Sequence, residues 1–486
     1  MTIWTLLTIF AVGGAILSAL TWRIQKDRLM AFLQYFTGVW FLFSGVVKAV
    51  DPHGTALKMQ DYFAEFISTF GATSFKFLVP MLKWMSENAL AFSIATIVLE
   101  IAIGILLILG QKTKFTSWAL LLLMVFFTAL TGYTHLSGYV PDGVNFFEFG
   151  KWGNWVETNM KVTDCGCFGD FLKLKPTTSF YKDLALMPVC LFFVFRRSRM
   201  TALFTEGKRR IIGWATVAFA SIFCLWNSFM DEPIADFRPF KNGVNIREQK
   251  KAEEKASADV KILTWKLKNI QTGEKADLPN ETYMANYQTQ YAKEKGWEIE
   301  EQVKSEMAIP RTKISDFLIE SPQGEDMTDS LLLETGYTFL VVSGKVKSTE
   351  SKTTIQVPDS LFIVDSVKGT KTFDRVQMRE EVIKAYSFDA HYREAFAKTM
   401  NPILEAAEKA GHKIAAVVPY SDPKKIEDFR HAAQTAYPFY RADEKLIKTM
   451  MRSNPGLILL KDGAIVHKWH LKKVPNFDEI KAAFIK

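Results

Sequence analysis

"LALMPVCLFFVFRRSR" occupies residues 184–199, and its reading decides how the first half of the chain is folded. Residues 184–195 are 12 apolar residues in a row, with Pro188 among them. A helix that crosses a bilayer needs about 20. Extended back to Thr177, the segment reaches span length, at the cost of Lys182 and Asp183 near one end. Its neighbours are clearer. Residues 3–20, 29–50, 90–110, 115–134 and 211–230 each form a span-length apolar run. In the second of these, Lys48 is close enough to the end to snorkel. In the third, Glu100 sits in the middle.

The basic residues resolve the doubtful segment. Arg23, Lys26 and Arg28 follow the first run, and Lys112 and Lys114 follow the third. Arg196, Arg197, Arg199, Lys208, Arg209 and Arg210 follow the segment in question. Short loops rich in Lys and Arg stay on the cytoplasmic side. These three loops share a side only if residues 177–195 also cross. The remaining loops, 51–89 and 136–176, mix acids with lysines. The expectation is a membrane all-α helical bundle of about six transmembrane helices, with both termini outside. No Lys or Arg precedes the first run, so it reads as a retained helix rather than a signal peptide.

The chain has 486 residues, too many for one ordinary domain. Its formal charge of +8 does not point to nucleic acid, because the densest basic clusters lie between apolar runs, where topology explains them. The division expected is a membrane bundle at 1–230, a linker with a small hairpin at 231–307, and a soluble α/β domain at 308–486. With both termini outside, the soluble domain lies outside too.

Topology also puts "DCGCFGD" (164–170) on the outer side, just before the fifth span. Disulfides persist there. Cys165 and Cys167 are two of only four cysteines, and three readings compete for them. As a redox pair, they would use Gly166 to fold the backbone sharply, giving a strained disulfide that is easily reduced. A metal clip takes four ligands, and the loop offers these two sulfurs with Asp164 and Asp170, and no nearby His. A structural bridge this short closes little loop entropy. Redox exchange is the favoured reading. Cys190 and Cys224 lie inside the last two spans, where packing is the plain explanation. Their depths, about 13–14 Å and about 9 Å, leave a second redox pair open. A mid-membrane acid such as Glu100 is a functional candidate by default, as a proton carrier. The plainer reading is a hydrogen bond to another helix through Thr131 or Tyr133. His135, at the outer end of the fourth span, could serve the same path or be an interfacial residue.

Beyond residue 230 no cysteine occurs. "VKILTWKLKNIQTGEKADL" (260–278) reads as a hairpin turning at Thr272–Gly273, followed by a polar, helical stretch to about Met307. Then come a strand (337–344), a helix (392–411), a strand (412–421), and helices at 423–436 and 443–453. A strand pair turning at Lys461–Asp462–Gly463 and a last helix close the chain. Alternating strands and helices predict an α/β sandwich.

Three stretches, "FLFSGVVKAVDPHGTALKMQDYF" (41–63), "LEIAIGILLILGQKTK" (99–114) and "DCGCFGD" (164–170), together resemble the DoxX-like and MauE-like redox-associated membrane proteins, over about residues 29–195. The resemblance implies a compact bundle of about four helices, with Cys165 and Cys167 as the redox pair and Glu100 on the acid of the third-span motif. It also implies thiol–disulfide exchange in the periplasm and, through the DoxX-like members, quinone-linked sulfur chemistry, with a quinone as one candidate electron acceptor and the cofactor otherwise unassigned. The flanking spans and soluble tail resemble an arrangement common in Bacteroidota. The last domain resembles a thioredoxin-like fold with Pro455 at its cis-proline position. Without cysteine it would bind a client protein rather than react with it. The expected protein is thus a multi-pass bacterial inner-membrane thiol–disulfide oxidoreductase, with a periplasmic client and the lipid bilayer as partners. The rival reading is a non-catalytic scaffold of a cell-envelope assembly.

Overall fold

The computed structural model describes residues 2–162, 165–364 and 371–485. Asp164 lies outside them. The chain forms two compact units: residues 1–238 with 251–312, and residues 239–250 with 313–486.

Among the described residues, the first unit holds six helices long and apolar enough to cross a membrane. They are α1 (Ile3–Leu20), α2 (Arg28–Val50), α5 (Ala89–Leu109), α6 (Thr113–Ser137), α7 (Pro176–Arg196) and α8 (Glu206–Phe229). The segment around Pro188 is therefore helical from Pro176, with the proline inside it. Between the second and third spans lie two further helices, α3 (Pro52–Gly71) and α4 (Val79–Glu87), where the sequence reading had a loop. The start signal for α3 is local. The Asp51 side chain accepts from the Gly54 N–H, and Pro52 takes the first helical position, where its missing N–H costs nothing. The helix was missed because it is amphipathic and not apolar enough to register as a span.

The crossing of α2 and α5 is unusually close, and glycines are the reason. A Cβ added at Gly104 would lie 2.5 Å from the Leu42 backbone nitrogen, and one at Gly45 would lie 3.0 Å from that of Ile101. Gly38 and Gly45 are seven residues apart, so they share a face of α2. In lipid, where water drives nothing together, such small residues let two backbones pack.

Before α7 the chain forms a short hairpin, β1 (Cys165–Phe168) and β2 (Leu172–Leu174), paired antiparallel. Phe168 is fully buried against Trp40 and Phe43, which anchors the hairpin to α2. The unit ends with a three-stranded antiparallel sheet of β3 (Ile262–Asn269), β4 (Lys275–Pro279) and β5 (Trp297–Lys304), in order β4-β3-β5. The expected hairpin is there, with Gly273 at φ +75° in its turn. The expected helix before Met307 is reduced to α10 (Asn280–Asn286), and β5 replaces the rest, because Trp297–Lys304 pairs with β3. Before this sheet lies α9 (Ile246–Ala258).

The second unit is built on a five-stranded sheet in the order β10-β9-β6-β11-β12. Its strands, with the helices between them, are β6 (Tyr337–Val342), β9 (Lys413–Pro419), β10 (Phe439–Ala442), β11 (Gly456–Lys461) and β12 (Ala464–His470). The strands β10, β9 and β6 are parallel, and β11 and β12 are antiparallel additions. All six residues of β6 are buried, as a strand covered on both faces requires. One face carries Phe339, Val341, Phe396, Leu404 and Phe429; the other carries Leu340, Val342, Leu446 and Ile458. The helices are α11 (Thr328–Leu332), α12 (Ala390–Glu394), α13 (Asn401–Lys409), α14 (Pro423–Ala433), α15 (Glu444–Met450) and α16 (Phe477–Phe484). A π-turn at Ala395–Met400 joins α12 to α13. The β11–β12 turn has positive φ at Asp462 and Gly463, and the Asn454–Pro455 bond is cis. Between β6 and α12 a long hairpin is inserted, β7 (Ser348–Val364) against β8 (Lys371–Phe388), in a region to which the sequence reading assigned no element. The result is a membrane helical part followed by an α/β domain.

Candidate functional site

Five helices of the membrane unit, together with the hairpin, converge on one pocket of about 780 Å³, counted to its open mouth. Each contributes residues spaced three or four apart, the spacing that puts side chains on one helix face. From α2 come Trp40, Ser44 and Lys48; from α3, Thr55, Met59 and Tyr62; from α5, Thr96 and Glu100. From α6 come Phe127 and Thr131, and from α7, Lys182, Asp183 and Leu186. The hairpin supplies Cys165, Gly166 and Cys167. All three residues singled out from the sequence, Cys165, Cys167 and Glu100, therefore line the same pocket.

The two sulfurs are 3.1 Å apart and the cysteines are free thiols. The backbone that brings them together differs from the expectation. Cys165, Gly166 and Cys167 lie in a strand whose pairing with β2 slips between Cys165 and Phe168, and the two sulfurs meet on one side of it. The sharp backbone turn is at Gly169, with φ +55°, rather than at Gly166. Gly166 instead faces the Lys58 stem, which a Cβ would meet at 3.4 Å.

Two ion pairs stand in the pocket wall. Lys48 Nζ donates to both Glu100 oxygens, at 2.6 and 2.9 Å, and both residues are buried. Lys48 is thus no snorkelling residue. The partner sought for Glu100 in Thr131 or Tyr133 is instead Lys48, with Ser44 3.0 Å away. The Ser44 hydroxyl also lies 2.8 Å from the Cys167 carbonyl oxygen. Its single proton can go to either acceptor, which links the Glu100 carboxylate to the cysteine strand. In the second pair, Lys182 Nζ lies 2.7 Å from Asp183, and Asp183 accepts from the Thr131 hydroxyl at 3.0 Å. Lys182 Nζ also reaches Cys167 Sγ at 3.6 Å, with the Ser179 hydroxyl 3.9 Å from the same sulfur. Sequence reasoning counted Lys182 and Asp183 only as a cost to a span. The row Ser179, Lys182, Asp183, Leu186 on one face of α7 is the signal it passed over.

The sulfurs are not equivalent. Cys167 is drawn down to about 6, chiefly by the hydrogen bond from Cys165 and then by the Lys182 charge, with burial opposing both. Cys165 is pushed well up by the same hydrogen bond and by burial. Cys165 is buried and Cys167 half-buried.

The other candidates fall elsewhere. Tyr133 bonds Thr69 at 2.7 Å, and His135 stacks on Phe180 outside the pocket lining. Cys190 packs with Phe193 and Leu186, and Cys224 with Ala49, Ile97 and Ile101, in separate clusters. Asp170 pairs with Lys173 at 3.7 Å and lines a second pocket of about 290 Å³ with Asp51, Asp236 and Arg238; Lys48 lines both pockets. Among the described residues, no group of three or more His, Cys, Asp or Glu side chains could hold a metal.

Residues 26–142 match the family model described as methylamine utilisation protein MauE. That stretch contains α2 to α6, and with them Ser44, Lys48, Glu100 and Thr131, and stops before the cysteine pair. No curated protein and no solved structure matches the chain. Six apolar spans and this match make the chain a multi-pass membrane protein whose residues 26–142 form a MauE-family membrane domain.

Proposed function

We propose that the protein is a thiol–disulfide oxidoreductase of a bacterial inner membrane, with Cys165 and Cys167 as its redox pair. The observation that carries this is the 3.1 Å approach of two thiols at the wall of an apolar pocket that also holds a buried carboxylate. Residues 26–142 match a family named for methylamine utilisation, and the resemblance to MauE-like proteins, which implies disulfide formation in periplasmic proteins, supports a role in the maturation of another protein. The reaction exchanges one disulfide for another. A client dithiol becomes a disulfide, the Cys165–Cys167 disulfide becomes two thiols, and two electrons pass to the pair.

A lipid-soluble quinone bound in this pocket would supply the two-electron acceptor chemistry that restores the disulfide, taking up two electrons and two protons. Trp40, Phe41, Phe126 and Phe127 offer ring-sized apolar walls for it, and the Lys48 ammonium, with two of its three N–H groups on Glu100, has one donor left. Glu100 passes on protons set free when the thiols oxidise. It lines the sulfur pocket and is paired with Lys48, which lines both that pocket and the second one.

The basic loops 21–28, 110–114 and 196–210 support a cytoplasmic placement, which leaves the cysteines and the α/β unit in the periplasm. The α/β unit is read as thioredoxin-like. Its support is the order β9-β6-β11-β12, with β6 and β9 parallel and the last two strands antiparallel. Without a cysteine it has no thiol chemistry, and its part is to hold the client.

The test replaces Cys165 and Cys167 by serine, singly and together, and isolates mixed disulfides from cells. Single variants are expected to accumulate an adduct with a periplasmic protein, and the double variant to lose both adduct and function. A double variant that functions fully would overturn the reading in favour of a scaffold. Impermeant thiol reagents on intact spheroplasts test the orientation.

A further inference from the structure

The two thiols share a strand and a pocket, but one lies closer to a cation. Lys182 Nζ donates to Cys167 Sγ at 3.6 Å, and its charge acts more weakly on Cys165. The ammonium is not free to wander. Asp183 holds it at 2.7 Å, and Thr131 on the neighbouring helix holds Asp183 at 3.0 Å. The Lys182 side chain retains 13% of its exposure and that of Asp183 1%. Its charge also lies 5.8 Å from the Trp40 ring, a further favourable contact for a cation. The hydroxyl of Ser179, one turn earlier on α7, adds a polar contact to the same sulfur.

We propose that Lys182 is a positioning residue that holds Cys167 as the anionic, partner-contacting sulfur of the pair, and that it thereby biases the pair toward accepting electrons. This rests on the redox reading of the pair and goes beyond it, by assigning a role to each sulfur and a direction to the exchange. The physical argument is short. A thiolate is the nucleophile, and a fixed cation stabilises it. A thiolate exists only in the reduced pair, so a group that stabilises it favours reduction and makes the disulfide a stronger oxidant. Cys167 is also the more exposed residue of the two, which favours it as the one a partner reaches first. In the exchange the partner's thiolate attacks Cys167 Sγ, the Cys165–Cys167 bond breaks, and Cys165 leaves and takes up a proton. The partner's second thiol then loses its proton and attacks the partner sulfur bound to Cys167. Cys167 leaves as a thiolate facing Lys182. The partner has lost two electrons and two protons; the pair has gained both electrons and one proton, and the other proton is released.

The experiment uses the reduced full-length protein in detergent, iodoacetamide over a range of pH, and mass spectrometry to score each cysteine. In the wild type, Cys167 is expected to react with a midpoint below that of Cys165. Lys182→Met is expected to cut the Cys167 rate at pH 7 by about fivefold or more, as loss of a facing charge does. The same variant is expected to move the pair's equilibrium with glutathione toward disulfide. Lys182→Arg keeps both properties close to wild type. A Lys182→Met protein that is less stable but whose Cys167 midpoint is unmoved overturns the proposal and leaves Lys182 a structural residue. Wild-type protein in which Cys165 reacts first overturns it without any variant. Neither measurement needs a client. Absence of trapped adducts in cells would therefore strike the proposed function while leaving this assignment standing.

Discussion

The pocket presents two ion pairs built from the same parts, each a lysine, an acid and a hydroxyl. Lys48–Glu100–Ser44 joins α2 to α5, residues 52 positions apart in the chain. Lys182 and Asp183 are neighbours in sequence on α7. The first pair ties two helices together, and both carboxylate oxygens are taken up by one ammonium. The second pair closes no gap between helices by itself, and its ammonium has a direction left over, toward Cys167. A salt bridge between sequence neighbours adds little to fold stability, so its burial here points to another use. The difference separates a clamp from a tool.

Glu100→Ala breaks the clamp most directly. It leaves the buried Lys48 charge without its partner and should cost about 3–5 kcal/mol, read as a fall in thermal stability in detergent. The paired replacement Lys48→Met with Glu100→Leu should recover most of that loss, because well-packed apolar residues often equal a buried ion pair. If it also keeps client oxidation, Glu100 is a clamp only. If stability returns and turnover does not, the proton role stands.

Gly104→Ala attacks the same crossing through the backbone. Its Cβ would lie 2.5 Å from the Leu42 nitrogen, so α2 and α5 must part. An overpacking cost of about 1–3 kcal/mol is expected in the same assay. Wild-type stability in this variant would mean that the glycines do not set the crossing.

The pH response probes the second pair. With Cys167 drawn down to about 6, its thiolate dominates at pH 7 and disappears as pH falls. Its alkylation rate should drop roughly tenfold between pH 7 and 5 and stay flat from 7 to 8. A rate that climbs steadily to pH 9 would mean an ordinary thiol and no assistance from Lys182.

Thr131→Val is the mildest change. It removes the hydroxyl that orients Asp183 and should cost about 0.5–1.5 kcal/mol, with a modest slowing of Cys167 alkylation. A variant that loses stability without any change at the sulfur would place Thr131 outside the chain of contacts leading to Cys167.

The sequence carried much of this. Long apolar runs and the alternation of basic loops were enough for six spans, including the awkward one around Pro188, because the bilayer imposes length and charge rules that act locally. Strand and helix periodicity placed most of the α/β unit. The rare cysteines and the mid-membrane acid marked the site residues. The misses share a cause. Residues 51–71 were too polar to count as a span, although Asp51–Pro52 announced a helix. The region from 345 to 391 carried no reading that anticipated the β7–β8 hairpin, whose pairing is a long-range event.

By itself, then, the sequence determined which segments are long and apolar enough to enter the membrane, three residues of the candidate site, and that the α/β unit lacks thiols. Those properties depend on composition and short-range spacing. The tertiary structure alone decided that Lys48 meets Glu100 and that Lys182 meets Cys167. It also decided that Cys165 and Cys167 approach within an irregularly paired strand, with the left-handed residue at Gly169 and not at Gly166. The physical reason is that pairing across helices depends on how closely backbones pack and how each helix is rotated. No spacing along one segment encodes that.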